Sequence, residues 1–392
     1  MKKAAFVISM LALYISFLPL FTDATAYKPV SLPETGGISA AYTAQLDVSA
    51  KHAILMCEDG TVLFEKDADT AAEPASTTKI MTALVALEKL GSDTVVTVPR
   101  EAVGIEGSSV YLKEGEKLTV RELLQCLLLE SGNDAAVALA VASCGSVKEF
   151  VELMNTRAKA LGLKTTHFEN PHGLSSEGHL TTARELAVIA REALSNELLR
   201  EVFSTKRAAV TGYGGDNGRL LINHNKLLTL YDDAIGVKTG YTRSSGRTLV
   251  GAAQRDGLTL IAVTLNAPDD WNDQICMFEY GFSGFKLLEA ATPGEIELNV
   301  SVVGGTDDEL TASNISPVTV TVPVGSVVRI STAAPQFVYA PVTKGDFICD
   351  AVVYAGDGLD MKPIATVPLV AMQDVQRKKL SFWERLFGTR DG

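Results

Sequence analysis

Positive charge is in short supply. The chain sets 35 Lys and Arg against 47 Asp and Glu, a formal net charge of -12. A general nucleic-acid binder needs a basic stripe to meet phosphates, and this balance argues against one. Cysteine is sparse too. Cys57, Cys126, Cys144, Cys276 and Cys349 are odd in number and scattered, without the paired spacing of a metal site. Metal binding therefore has no support, and no cofactor is expected. Cys126 lies in the apolar stretch 123–129 and reads as a buried thiol acting as a small hydrophobe, with a Cys126–Cys144 bridge left open. His52, His167, His172, His179 and His224 sit in no recognisable triad signature, and there is no Gly-x-Ser-x-Gly elbow. Histidine-based serine chemistry thus lacks its usual marks, and His172 reads as a loop-ordering residue. No long low-complexity tract is present.

What is present is enough for a large folded protein. A chain of 392 residues, 46% hydrophobic, calls for two domains rather than one. Lys2 and Lys3 precede an apolar run over residues 4–21, and Ala24-Thr25-Ala26 supplies a small-x-small cleavage pattern. This predicts an export signal over residues 1–26 and a mature chain starting near Tyr27. A membrane anchor is the competing reading of the same run.

The acidic-Gly turn Glu58-Asp59-Gly60, between residues 53–56 and 62–64, predicts a hairpin. A helix is expected over residues 77–90, stopped at Gly91. Thr119 with Glu122, Ser146 with Glu149 and Thr182 with Glu185 have the spacing of capping boxes, and each predicts a helix start. Residues 200–246 read as strands and turns. Two strands are expected around Arg255-Asp256-Gly257, then a helix over 271–280. Strands at both ends of a helical middle make residues 27–290 an α/β domain. Strand-like runs at 296–303, 318–324, 327–330 and 347–354 make 291–371 a small all-β domain. Residues 372–392 carry Arg377, Lys378, Lys379 and Arg385, with Leu380, Trp383 and Phe387 on one helical face. That is a basic amphipathic tail suited to a lipid interface.

Three short motifs occur in order: Ser76-Thr77-Thr78-Lys79, Ser131-Gly132-Asn133 and Lys238-Thr239-Gly240. Each alone is weak, as Ser283-Gly284-Phe285-Lys286 demonstrates by matching the first pattern out of order; it reads as an element end with an exposed Lys. Together, in this order, they match the serine acyl-transfer set of penicillin-binding proteins and class A β-lactamases. A serine hydroxyl is a poor nucleophile until a base takes its proton. Lys79, one turn beyond Ser76, can be that base only if neutral. Burial and a neighbouring cation, Lys238, would both lower its pKa. Ser131 and Asn133 are expected in a turn between two helices, Ser131 to relay a proton to the leaving amine and Asn133 to bond a substrate amide. Residues 234–237 have an edge-strand pattern, suited to pairing with an extended peptide. Gly240 would permit close approach, and Lys238 and Thr239 would hold a terminal carboxylate. The N–H groups of Ser76 and Tyr241 would form the oxyanion hole.

The chain resembles the low-molecular-mass penicillin-binding proteins that act as D-Ala-D-Ala carboxypeptidases. Beyond the three motifs, Gly107-Ser108-Ser109-Val110-Tyr111-Leu112, residues 127–136, residues 161–168 and Asn170-Pro171-His172-Gly173-Leu174 resemble that family. So does the layout of signal, transpeptidase-like domain, β domain and tail. The resemblance implies a β-lactamase-like α/β fold, an antiparallel sheet with a helical cluster, followed by the β domain and the amphipathic segment. It implies peptidoglycan stems ending in D-Ala-D-Ala as substrate and β-lactam antibiotics as acylating agents. It also implies a location on the outer face of the cytoplasmic membrane. One departure stands out. Some members carry an Arg downstream of Lys-Thr-Gly that helps bind the substrate carboxylate, whereas residues 267–276 contain no basic residue. Lys238 and Thr239, with Arg243 or Arg247, would have to serve.

Three other readings stay open to test. A class A β-lactamase needs a deacylating Glu before Lys-Thr-Gly. Glu295-Ile296-Glu297-Leu298-Asn299 mimics that motif but follows it, and reads as the first β-domain strand. A D,D-endopeptidase would use the same residues. A non-catalytic cell-wall scaffold would not need Ser76, Lys79, Ser131, Asn133 and Lys238 intact.

Overall fold

The computed structural model describes residues 46–212 and 218–379. Its first element is the expected hairpin. Strands His52–Cys57 and Val62–Lys66 pair antiparallel around the turn, where Gly60 takes φ +94°. The central sheet is antiparallel and five-stranded. Its order is Val62–Lys66, His52–Cys57, Leu258–Leu265, Gly246–Arg255 and Ala234–Thr242. Leu258–Leu265 is the middle strand, and all eight of its residues are buried. Successive side chains of a strand point to opposite faces. Leu260 and Ala262 accordingly join the core under helix Asp270–Gly284, while Ile261, Val263 and Leu265 join the core of the helical cluster. Ala234–Thr242 is an edge, as its sequence pattern predicts.

The helical cluster holds Lys79–Lys89, Val120–Leu128, Asn133–Cys144, Val147–Ala160 and Ala183–Leu194. Asn133–Cys144 runs through its middle, with residues 133–140 buried, and its alanines let neighbouring helices approach closely. The three predicted caps are present, each worth about 1 kcal/mol. Thr119 and Glu122 form a complete capping box. Ser146 and Thr182 accept from the N–H groups of Glu149 and Glu185. Glu185 does not complete its box. Its carboxylate instead accepts from the backbone N–H groups of Lys164, Thr165 and Thr166, anchoring the segment that follows Gly162.

Two features differ from the sequence reading. Within the stretch read as strands and turns, Glu197–Ser204 is a helix and Leu227–Leu230 a helical turn. Asn196 caps the former, and Leu199, Val202 and Phe203 bury one face of it. The Val-Phe pair gives the stretch its strand-like look, but its spacing from Leu199 is helical.

The all-β part has further strands at Glu309–Ser313, Val338–Tyr339 and Met361–Ala371 beside those expected. Its main sheet has six strands. Phe285–Ala291 pairs with Val318–Pro323, so strand pairing with the β part begins directly after helix Asp270–Gly284. Lys286 is exposed at that junction. The segment at Glu295 leads into strand Glu297–Val303. The chain is last described at residues 377–379, where Arg377 bridges Gly305 and Lys378 N–H donates to the Gly304 carbonyl. The export signal and the apolar face of the tail lie outside the described residues. Among the described residues, no helix is long and apolar enough to cross a membrane. All five cysteines are free thiols. Cys57 and Cys126 are buried and Cys276 is exposed.

Candidate active site

The nucleophile candidate sits just before a helix. Ala75–Thr78 is a 3-10 turn, and Lys79–Lys89 continues it as α-helix. Ala75 takes φ +50°, turning Ser76 toward the sheet edge. The Pro74 carbonyl accepts from Thr77 Oγ1 at 2.6 Å and from Thr248 Oγ1 at 3.2 Å, pinning the turn to the neighbouring strand. Gly240 is required for the same approach. A Cβ there would lie 2.3 Å from Thr248 Oγ1 and 2.9 Å from Ser76 N. The backbone that comes close to Gly240 is thus the nucleophile turn itself.

Lys79 is fully buried and points back at Ser76. Its Nζ lies 3.0 Å from Ser76 Oγ, 2.7 Å from Asn133 Oδ1 and 2.6 Å from the His172 carbonyl. The last two partners can only accept. A neutral amine has two hydrogens and one lone pair. It can donate to Asn133 and His172 and keep its lone pair for the Ser76 hydroxyl. The electrostatics favour that form. Burial holds the Lys79 pKa well below the usual lysine value, and nearby Lys238 lowers it further against the opposing pull of Asp134. Lys238 is itself buried, which lowers its pKa to about 7, and its Nζ donates to the Thr239 carbonyl.

Ser131 lies in the turn between Val120–Leu128 and Asn133–Cys144, at φ +61°. Its hydroxyl is buried and has no partner among the described residues. A cleft of about 370 Å³ brings together Ser76, Ser108, Ser131, Thr239, Gly240 and Tyr241. Asn133 behaves differently from its sequence reading. Both its polar atoms are engaged within the protein, Oδ1 by Lys79 and Nδ2 by the Glu106 carbonyl. It therefore orients the base rather than offering a free amide to a ligand.

At the carboxylate end, Arg243 is exposed and does not line the cleft, whereas Arg247 does. Arg247 holds Asp270 through Nε and Nη2 and lies 5.5 Å over the Trp271 ring. A hollow of about 440 Å³ elsewhere is lined by Glu65, Asp67 and Asp69. It holds no nucleophile, and Arg184 pairs with Glu65 and Asp69 beside it.

A family model for D-alanyl-D-alanine carboxypeptidase matches residues 39–269, which contain every residue of this site except Asp270 and Trp271. The chain belongs to that family. This carboxypeptidase is 32% identical over 359 residues to D-alanyl-D-alanine carboxypeptidase DacF of Bacillus subtilis, covering 88% of this chain and 91% of that one. Penicillin binding protein 5 from Haemophilus influenzae has a similar structure, with a TM-score of 0.73 at 28% identity over 84% of this chain and 98% of the other. A mutant of the Streptomyces K15 DD-transpeptidase matches with a TM-score of 0.58 at 37% identity, covering 60% of this chain and 98% of that one. The carboxypeptidase is a serine peptidase of cell-wall metabolism and a low-molecular-mass penicillin-binding protein. Its sequence motifs lead to Ser76, Lys79, Ser131 and Lys238 but not to the His172 carbonyl, because a backbone acceptor leaves no mark in the residue type. The only available signal was the run Asn170-Pro171-His172-Gly173. There the Asn170 side chain accepts from the Gly173 N–H at 2.7 Å and donates to the Leu174 carbonyl.

Proposed function

We propose that Ser76 attacks the carbonyl of the penultimate D-Ala of a peptide stem, with neutral Lys79 taking its proton. The observation that carries this reading is the contact set of Lys79 Nζ, two pure acceptors and one hydroxyl. The N–H groups of Ser76 and Tyr241 receive the oxyanion. Ser131 passes a proton to the leaving nitrogen, with Lys238 beside it, and the terminal D-Ala departs. Water then adds to the acyl-serine and restores the hydroxyl. Thr239, Lys238 and Arg247 receive the terminal carboxylate, with Asp270 and Trp271 fixing the guanidinium. Penicillins acylate the same serine and leave slowly.

The test is release of free D-Ala from diacetyl-L-Lys-D-Ala-D-Ala. Wild type should release it, and Ser76→Ala should release none. The peptide ending in a carboxamide should be a poor substrate. Equal turnover of acid and amide would remove the carboxylate reading. Release only from cross-linked dimers would favour an endopeptidase.

The same reading makes residues 1–26 an export signal and places the enzyme outside the cell. The basic tail then rests on the outer membrane-facing surface as a peripheral contact. A chain truncated after residue 371 should leave the membrane fraction; one that stays fully bound would exclude the tail as the contact.

A further inference from the structure

The segment over residues 166–182 is stitched to the nucleophile-bearing segment at several points. Thr82 Oγ1 donates to the Pro171 carbonyl at 2.6 Å, Lys79 Nζ donates to the His172 carbonyl, and Ala72 and Thr181 exchange backbone hydrogen bonds. In each of these the 166–182 segment contributes only its backbone. His179 is the exception. Its imidazole is 2% exposed, with Nε2 at 2.8 Å from Thr78 Oγ1 and Nδ1 at 3.1 Å from the backbone N of Glu169. A backbone N–H can only donate, so Nδ1 accepts. The single hydrogen of the neutral ring is therefore on Nε2, directed at the Thr78 hydroxyl. Burial lowers the His179 pKa to about 4, which keeps the ring neutral at physiological pH. The Phe168 ring stands edge-on at 5.6 Å and fixes the ring plane.

Thr78 lies between Ser76 and Lys79 in the chain. The His179 bond thus joins the turn that carries the nucleophile to the segment whose carbonyl fixes the base. We propose that His179 is a positioning residue for acylation, a tautomer-locked imidazole holding Thr78 so that Ser76, Lys79 and the His172 carbonyl keep their mutual geometry. This rests on the reading of Ser76 as nucleophile and Lys79 as base. It concerns a residue outside the three motifs, one that touches no substrate.

Amide replacements separate the two halves of the imidazole. In His179→Asn the side-chain oxygen takes the place of Nδ1 and accepts from Glu169, but nothing reaches Thr78. In His179→Gln the side-chain nitrogen reaches Thr78. The rate constant for acylation by a fluorescent penicillin should fall by about tenfold or more in the Asn variant, with the penicillin dissociation constant little changed, and should largely recover in the Gln variant. Thr78→Val should lose as much as His179→Asn, and the double variant no more than either alone. Thermal melting of each variant separates this from a general loss of fold.

Additive losses, a loss that follows melting temperature alone, or a His179→Asn enzyme as fast as wild type would each overturn the assignment. Should the His179 variants fail to fold, Thr78→Val against wild type still decides it: an unimpaired acylation rate there excludes the role. A wild type that is not acylated at all would instead remove the underlying reading of Ser76.

Discussion

Replacing Lys79 by methionine should give a more stable protein that penicillin does not label. The two side chains have similar length and volume, so the pocket stays filled. Loss of the general base should lower kcat/KM by about a thousandfold or more. The stability change has the opposite sign because Lys79 and Lys238 are both buried with lowered pKa values. In the unfolded chain both are ammonium ions up to about pH 10. Folding must then release or bury that proton, a cost fully present below the folded pKa and lost as pH rises toward the unfolded value. For Lys238 the window runs from about 7 upward. Wild type should therefore gain stability between pH 7 and about 10 relative to Lys238→Met. Lys79→Met should melt at least about 3 °C higher than wild type at pH 7. Thermal melts across that range, with fluorescent-penicillin labelling on the same samples, check both halves. A methionine variant that melts lower than wild type would mean that the ammonium form is held in the folded protein.

Gly173→Ala should be the most damaging single methyl group in the enzyme. Gly173 takes φ +86°, and a Cβ there would stand 1.9 Å from the Ala75 carbonyl oxygen, 2.4 Å from its carbon and 3.0 Å from Ser76 N. These are backbone atoms of the nucleophile turn, so no side chain can rotate away. Ala75 is already held at positive φ and has little room to yield. The turn must shift, and Ser76 with it. A displacement of about 1 Å at reacting atoms costs on the order of a hundredfold in rate. Strain and overpacking together should cost about 3 kcal/mol of stability. Acylation kinetics and urea unfolding of Gly173→Ala measure the two effects. Acylation within twofold of wild type would show that the 166–182 segment can move without carrying the turn.

The parts of this enzyme that could be read from sequence are those where a residue type does a local job. Thr119, Ser146 and Thr182 announce helix starts because their hydroxyls satisfy N–H groups three residues on. Ser76, Lys79, Ser131 and Lys238 announce chemistry by type and order. What escaped was fixed by distant partners. Asn133 looks like a ligand for substrate until Lys79 and Glu106 are seen to occupy its two polar atoms, from positions 54 and 27 residues away. Glu185 has the spacing of a capping box, yet its carboxylate is drawn off by three backbone N–H groups about 20 residues earlier. The Glu197–Ser204 helix was concealed by two β-formers, Val202 and Phe203, whose burial against the helical cluster outweighs their local preference. Arg247 illustrates the same limit, since its place beside Asp270 depends on sheet register rather than on any motif.

The state of the five thiols bears on how the chain matures. With every cysteine free, the native fold contains no cross-link that an oxidant must make or an isomerase must correct. Cys126 is sealed in the helical cluster with its pKa pushed up to about 12, so it carries almost no thiolate and reacts slowly while the protein is folded. Cys57 is shielded in the same way at the sheet. The exposed thiol of Cys276, on the outer side of its helix, is the one open to oxidants. Storage in air would therefore join two folded copies through Cys276 rather than scramble either one, and a mild reductant would separate them with the active site intact.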